Sequence, residues 1–451
     1  MSKAEKLDDK AKSASEESRS ASEQARKAST DSCTTNADSR TTKEVTVLKF
    51  GGTSVKSIGR MSHVAGIIAE AAKQHKVIVV VSAMGDTTDY LIKLAKQCSS
   101  NPNKRELDRL LSTGEQMSIS LVAITLNQMG LSARSLTGRQ VGIFTESVHT
   151  NARIVDIDKD NIRQYFEDAD VLVVAGFQGV DEKGDVTTLG RGGSDTTAVA
   201  LAAAFDAESC DIYTDVDGIY TSDPNAIPKA TLLKQVSYGE VLEMARLGAK
   251  VLHPRAVELA RQYHVKLRVR NTFKPEHQGT LIYQSEGKEM EIFRAISAVA
   301  VDKDQAAVAI MDVPDQPGIA GKITAELARK NIGVDMIVQS FHPSIGHNSI
   351  TFTVSSDNLD DTIGVLEHLK KELGARQVEV DADCAKVSLI GAGLVEQPEI
   401  PAKFFTTLGD NRINIKMIST SEMKISCIVS RDAADNAASL LHSTFELDKQ
   451  S

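Results

Sequence analysis

The stretch Lys49-Phe50-Gly51-Gly52-Thr53-Ser54-Val55 brings together a cation, two glycines and two hydroxyls. Before it, Val45, Val47 and Leu48 alternate as in a β-strand, and after it Ser57 is placed to cap a helix. The helix is marked by Ile58, Met61, Val64, Ile67, Ile68 and Ala71, which fall at helical spacing. A strand, a glycine turn and a helix in that order suit anion binding. Gly51 and Gly52 let the backbone turn sharply and aim N–H groups at a phosphate at the helix start. Lys49, at the strand end, adds a point charge to the same place. No GxxxxGK[ST] occurs, so this is not a Walker loop. Alone, the stretch is better read as an ordinary strand-to-helix turn with a surface lysine.

Further loops carry polar groups of the same kind. TTLGRGGSDTTA, residues 187–198, offers Arg191 as a bidentate fork for a carboxylate, with Ser194 and Asp195 capping an alanine-rich helix at 196–207. SAMGDTTD, residues 82–89, supplies the hydroxyls of Thr87 and Thr88. STGEQ, residues 112–116, is expected to open a helix with Glu115 in its first turn, where the helix dipole favours a carboxylate. HTNARIVD contains Arg153. Each has a structural alternative: Asp195 as an N-cap only, Glu115 as a dipole partner only, Arg153 in a surface ion pair. Residues 210–228, CDIYTDVDGIYTSDPNAIP, read as a strand followed by turns at Asp217-Gly218 and Asp223-Pro224. LGAKVLHPRA, residues 247–256, places Lys250 just after a helix.

These loops need a frame that gathers them. From Glu44 to about Tyr283 apolar strand-like runs (Val77 to Val81, Val171 to Val174) alternate with helical stretches (Ser118 to Met129, Thr196 to Ala207). That alternation predicts an α/β domain with a largely parallel sheet sandwiched by helices, in which ligands gather at the carboxyl ends of strands. At 451 residues there is room for two or three domains. A formal charge of -9 argues against a nucleic-acid partner, and no apolar run reaches the ~20 residues of a membrane span. Cys33, Cys98, Cys210, Cys384 and Cys427 are odd in number and lack a CxxC pair, as expected of reduced thiols in a cytoplasmic protein. Residues 1–43 hold nine Ser, nine Lys or Arg and eight acids without an aromatic residue. That composition predicts a disordered tail, too acidic for a transit peptide.

Taken together, KFGGTSV, SAMGDTTD, STGEQ, NARIVD, TTLGRGGSDTTA, YTDVDGIYTSDP and GAKVLHP closely resemble the aspartokinases of the amino acid kinase superfamily, from about residue 45 to the C-terminus. The resemblance implies an amino acid kinase-type catalytic domain over 44–285. It would transfer the γ-phosphoryl of ATP, carried with Mg²⁺, to the β-carboxylate of L-aspartate, as the first step of lysine, threonine and methionine biosynthesis. A carboxylate is ionised at pH 7, so the problem is to bring two anions together rather than to remove a proton. By resemblance, Lys49 and Lys250 neutralise the triphosphate and Asp195 orients Lys49. Gly51, Gly52 and Ser54 line the phosphate turn. Arg153 and Arg191 clamp carboxylates, Glu115 pairs with the α-ammonium, and Thr88 and Ser194 add hydrogen bonds. Thr214, Asp215, Tyr220 and Val251 lie on the nucleotide side. The chain departs from the family pattern at Asn225, where many members carry arginine. Weaker ATP binding, or replacement of the charge by Lys229, would follow.

The C-terminal third repeats itself: residues 308–337 parallel residues 387–418, each a strand, a Pro/Gly loop, an amphipathic helix and a second strand. A further strand and helix complete each βαββαβ unit. These units resemble tandem ferredoxin-like ACT domains, expected at 295–380 and 381–451. ACT domains imply feedback control by lysine, threonine or both, and a homo-oligomer formed through them. Residues resembling effector contacts are Asp315, Gly318, Ile319 and Gln339 in the first unit and Asn414 and Ile415 in the second. Three alternatives are weaker on these residues: ACT units that serve dimerisation only, a kinase for another acid or phosphate, and a silent amino-acid sensor on the same fold.

Overall fold

A computed structural model describes residues 44–247, 251–284, 295–340, 346–394 and 397–449. The 1–43 tail and Lys250 lie outside the described residues. Eight strands form the first sheet, in the order Gln235–Ser237, Thr280–Tyr283, Leu267–Asn271, Cys210–Thr214, Val45–Phe50, Lys76–Val81, Val171–Ala175 and Ala133–Leu136. Among these, the only antiparallel pair joins Leu267–Asn271 to Thr280–Tyr283.

The β-branched runs explain why this sheet is buried on both sides. Side chains alternate across a strand, so Val47, Ile78, Val80, Leu172 and Val174 enter one core. There they meet Ala198, Val199, Val241, Val257 and Ala260 of the helices Gly193–Phe205, Tyr238–Arg246 and Pro254–Gln262. Leu48, Phe50, Val77, Val79 and Val81 enter the other core, against Met61, Val64 and Ile68 of Ile58–Ala72 and Ile119, Val122 and Leu126 of Lys104–Gln128. Each fully buried Val, Leu, Ile, Phe or Met among them contributes about 1.5–3 kcal/mol. Ser57 caps the first helix as its sequence predicts, accepting from the Arg60 N–H at 3.4 Å.

A separate four-stranded sheet, in the order Ile154–Ile157, Ile143–Thr145, Gln178–Val180 and Val186–Thr188, was not evident from periodicity, because its strands are only three or four residues long. It holds the loops that end in Arg153 and Arg191.

The third sheet is antiparallel, with order Ile337–Gln339, His347–Val354, Ala298–Pro314, Gln377–Ile390, Lys424–Val429 and Met417–Ser421. Two long strands serve both repeats. Ala298–Asp302 pairs with Lys386–Ile390, while Ala307–Met311 pairs with Gln377–Asp381. The cores divide accordingly. Ile296 and Val299 pack with Val387, Phe404, Cys427 and Leu441, whereas Val308 and Ile310 pack with Leu327, Phe352 and Leu366. The first repeat is therefore inserted between the opening strand of the second and the rest of it.

Candidate active site

Lys49 is the penultimate residue of its strand, and its Nζ lies 2.6 Å from Asp195 Oδ1, with both side chains largely buried. Asp195 reaches it from the third position of the helix Gly193–Phe205. The cap of that helix is Gly192, in the left-handed region at φ 67°, so Ser194 and Asp195 sit inside the first turn rather than capping it. The expectation of an N-cap role for them is corrected by the glycine, which adopts this conformation without a Cβ penalty.

The glycine turn is built for close approach. A Cβ on Gly52 would stand 2.8 Å from the Ala83 carbonyl, and Gly85 N–H donates to the Gly52 carbonyl at 3.0 Å. Gly51 lies beneath the Lys49 ammonium. Ser54 does not enter the cleft: it is fully buried, and its hydroxyl is 2.7 Å from that of Thr272.

Glu115 also differs from expectation. Residues 112–116 do not open a helix. Lys104–Gln128 runs through them, and Gly114 allows this helix to press on Ala83, where a Cβ would come within 2.9 Å of the Ala83 Cβ. Glu115 is thus mid-helix, away from the dipole, and only 3% exposed. Its Oε1 accepts from Ala83 N–H at 3.1 Å, and its Oε2 is buried without a partner. Burial raises its pKa to about 7. A buried carboxylate with a free oxygen suits an ammonium ligand.

Lys49, Gly51, Gly52, Thr88, Glu115, Arg191, Ser194 and Asp195 surround one cleft of about 320 Å³, together with Phe177. Phe177 was not singled out from sequence. It holds φ at 69°, takes the Thr197 hydroxyl as acceptor for its N–H at 3.1 Å, and follows the strand end in AGFQGV. Arg153 is exposed and does not line this cleft, although its charge lies near Arg255.

A second pocket, of about 470 Å³, is lined by Thr214, Asp215, Tyr220, Asn225 and Val251, and also by residues 298–301 of the third sheet. The two pockets open at the ends of adjacent strands, since Phe50 pairs with Tyr213. Burial, followed by the nearby Asp217 carboxylate, raises the Tyr220 phenol. Lys274, 2.9 Å away, holds Asp217 below the usual carboxylate range. Asn225 folds back on its own turn, its N–H and Nδ2 both donating to Asp223 Oδ1, at 2.9 and 3.0 Å. Lys229 is exposed and does not line this pocket; its charge is felt instead at His442. Among the described residues no group of three His, Cys, Asp or Glu side chains could hold a metal. No helix there is long and apolar enough to cross a membrane.

Asp315, Gly318 and Ile319 cluster at the start of the helix Ile319–Arg329, and Gln339 ends the edge strand Ile337–Gln339. Asn414 and Ile415 precede the opposite edge strand, Met417–Ser421. Four strands separate the two groups within one chain.

The amino acid kinase family model matches residues 44–271, and an ACT domain model matches residues 299–369 and 387–445. The chain is 47% identical over 402 residues to the aspartokinase of Bacillus sp. (strain MGA3), which covers 89% of this chain and 97% of that one. Its structure is similar to E. coli aspartokinase III in complex with aspartate and ADP (R-state), with a TM-score of 0.74 at 27% identity over 89% of this chain and 99% of that one. The same enzyme in complex with lysine and aspartate (T-state) gives a TM-score of 0.69 at 27% identity, with equal coverage. A kinase family model over half the chain, and a relative aligned along nearly all of it, give one conclusion: the chain belongs to the aspartokinase family.

Proposed function

We propose that the chain phosphorylates the β-carboxylate of L-aspartate with ATP in the cleft between Lys49 and Arg191. The observation that carries this reading is the meeting of Lys49, Asp195, Arg191 and Glu115 around one cavity beside a second, nucleotide-sized pocket. The aspartokinase complex with aspartate and ADP supports the choice of ligands.

Lys49, held by Asp195, neutralises the phosphate that arrives over Gly51 and Gly52. Arg191 holds a substrate carboxylate, with Arg153 approaching from the neighbouring loop. Glu115 accepts the α-ammonium, which gives its unpaired Oε2 a partner. Thr88 and Ser194 complete the hydrogen bonds. Thr214, Asp215, Tyr220 and Val251 receive the nucleotide, and Lys250 adds charge to its phosphates. Mg²⁺, carried with the nucleotide, would supply positive charge at its phosphates. The substrate carboxylate is already ionised, so these residues act by position and charge.

Residues 44–285 form the catalytic domain in this reading. Residues 295–380 and 381–451 hold the two regulatory repeats, their opening strands interleaved as described. Lysine, threonine or both bind the repeats at Asp315, Gly318, Ile319 and Gln339 and at Asn414 and Ile415. The edge strands leave Ile337, Val338 and Ile418 exposed, which favours pairing with a second copy that would bring opposite edges together. Coupled ADP release with aspartate, repeated with lysine and threonine singly and together, tests both parts. No aspartate-dependent release would refute the catalytic reading, and insensitivity to both amino acids would refute the regulatory one.

A further inference from the structure

Arg153 and Arg191 sit on loops from two different strand connections, and something must set the distance between them. The backbones of these loops are joined at Ala152 N–H, which donates to the Thr188 carbonyl at 2.9 Å. On the other side stands Arg255, the second residue of the helix Pro254–Gln262. Its Nη1 donates to the Leu189 carbonyl at 2.7 Å and its Nη2 to the Ala152 carbonyl at 2.8 Å. Leu189 lies two residues before Arg191, and Ala152 one residue before Arg153. One planar guanidinium therefore ties both arginine-bearing loops to the same helix start.

The surroundings fit a positional role. Arg255 is half-buried. Its Nη1 and Nη2 bonds both go to backbone carbonyls, a use that fixes geometry, while the Glu146 carboxylate also acts on its charge. The start of its helix forms a wall against the glycine-rich loop. His253 caps the helix by accepting from Arg255 N–H at 3.3 Å, and its side chain leaves no room for a Cβ on Gly192, which would fall 2.2 Å from it. Burial, and then the nearby Arg153, lower the Arg255 pKa from its ordinary value, consistent with a crowded cationic corner. A lysine here has one compact ammonium and cannot reproduce the fork.

We propose that Arg255 is a positioning residue for the amino-acid substrate, setting the spacing between Arg153 and Arg191 by bridging the Ala152 and Leu189 carbonyls. The proposal rests on the reading of those two arginines as the carboxylate clamp.

Steady-state kinetics of Arg255→Ala, Arg255→Lys and Arg191→Ala, with melting curves, test it on the full chain. A displacement of about 1 Å at a reacting group is costly, so Arg255→Ala should raise the KM for aspartate by roughly tenfold or more. The KM for ATP should rise far less than that for aspartate, because Arg255 itself does not line the nucleotide pocket. Arg255→Lys should not restore aspartate binding, and free guanidinium in the millimolar range should partly rescue Arg255→Ala. If Arg255→Ala does not fold, the lysine variant, which keeps the stem and the charge, decides by the same ratio. Wild-type aspartate KM in a folded Arg255 variant, or equal rises in both KM values, would overturn the proposal while leaving the clamp intact, provided Arg191→Ala still loses aspartate. If Arg191→Ala binds aspartate normally, the clamp reading fails and this proposal falls with it.

Discussion

Lys49 Nζ and Asp195 Oδ1 stand 2.6 Å apart, tying the end of the central strand to the first turn of the helix that follows the glycine-rich loop. The ammonium is therefore held at a fixed point before any ligand arrives. Such preorganised charge is worth about 10²–10³ in turnover when a single donor is lost. Lys49→Ala should reduce kcat for ADP release by that order, with melting temperature little changed. Near-normal turnover would remove Lys49 from the mechanism. Asp195→Ala should retain a folded protein with a lower kcat, since the Lys49 side chain loses its anchor.

Glu115 makes stability and function oppose each other. Its pKa in the folded chain is about 7, above the ordinary glutamate value of 4.5, because of burial. The folded state therefore holds this proton more tightly than the unfolded state does. Stability is full below about pH 4.5 and is lost as pH rises to about 7, by roughly 3 kcal/mol at most. Glu115→Gln should be more stable than wild type at pH 8 and little different at pH 4.5, as read by denaturant unfolding. The same variant should bind aspartate poorly. In the wild type the aspartate KM should fall as pH rises through about 7, where the carboxylate becomes available to the ammonium; a flat profile would contradict this pairing.

Gly114 offers a test of the packing behind Glu115. In an ordinary helix interior, glycine to alanine stabilises by about 1 kcal/mol. Here the new Cβ would meet Ala83 Cβ at 2.9 Å. Gly114→Ala should therefore destabilise, by about 1–3 kcal/mol, and weaken aspartate binding by moving Glu115 from the Ala83 N–H. A gain in stability would show that the two segments separate freely.

Asn225 spends its donors on Asp223, and no Lys or Arg among the described residues lines the nucleotide-side pocket. Asn225→Arg should lower the KM for ATP by roughly fivefold, the effect of about 1 kcal/mol from a solvated charge near a phosphate. The aspartate KM should not follow. An unchanged ATP KM would mean that the position faces away from the phosphates.

The parts of this site that could be read from sequence were local ones. KFGG follows a strand of alternating apolar residues, and Ser57 caps the next helix, so Lys49, Gly51 and Gly52 fall where the spacing puts them. Glu115 lines the Lys49 cleft from mid-helix, not from the helix start that its spacing suggests. Ser112-Thr113-Gly114-Glu115 mimics a helix start, whereas Gly114 serves close packing inside a 25-residue helix. Asp195 resembles a cap because Gly192, three residues earlier, takes the cap by backbone conformation alone. Ser54 reads as a phosphate ligand, but Thr272, distant in sequence, takes its hydroxyl. Phe177 and Arg255 act through tertiary contacts that no local spacing reveals. The interleaving of the two repeats was hidden for a similar reason, since residues 298–302 look like the start of the first unit but pair with the second.

The measurement closest to the central claim is a crystal structure of the chain with L-aspartate and a non-hydrolysable ATP analogue. The account predicts the aspartate side-chain carboxylate between Arg191 and the terminal phosphate, with Lys49 on that phosphate and Glu115 on the ammonium. Aspartate bound outside this cleft, or Lys49 and Arg191 engaged on neither ligand, would contradict it.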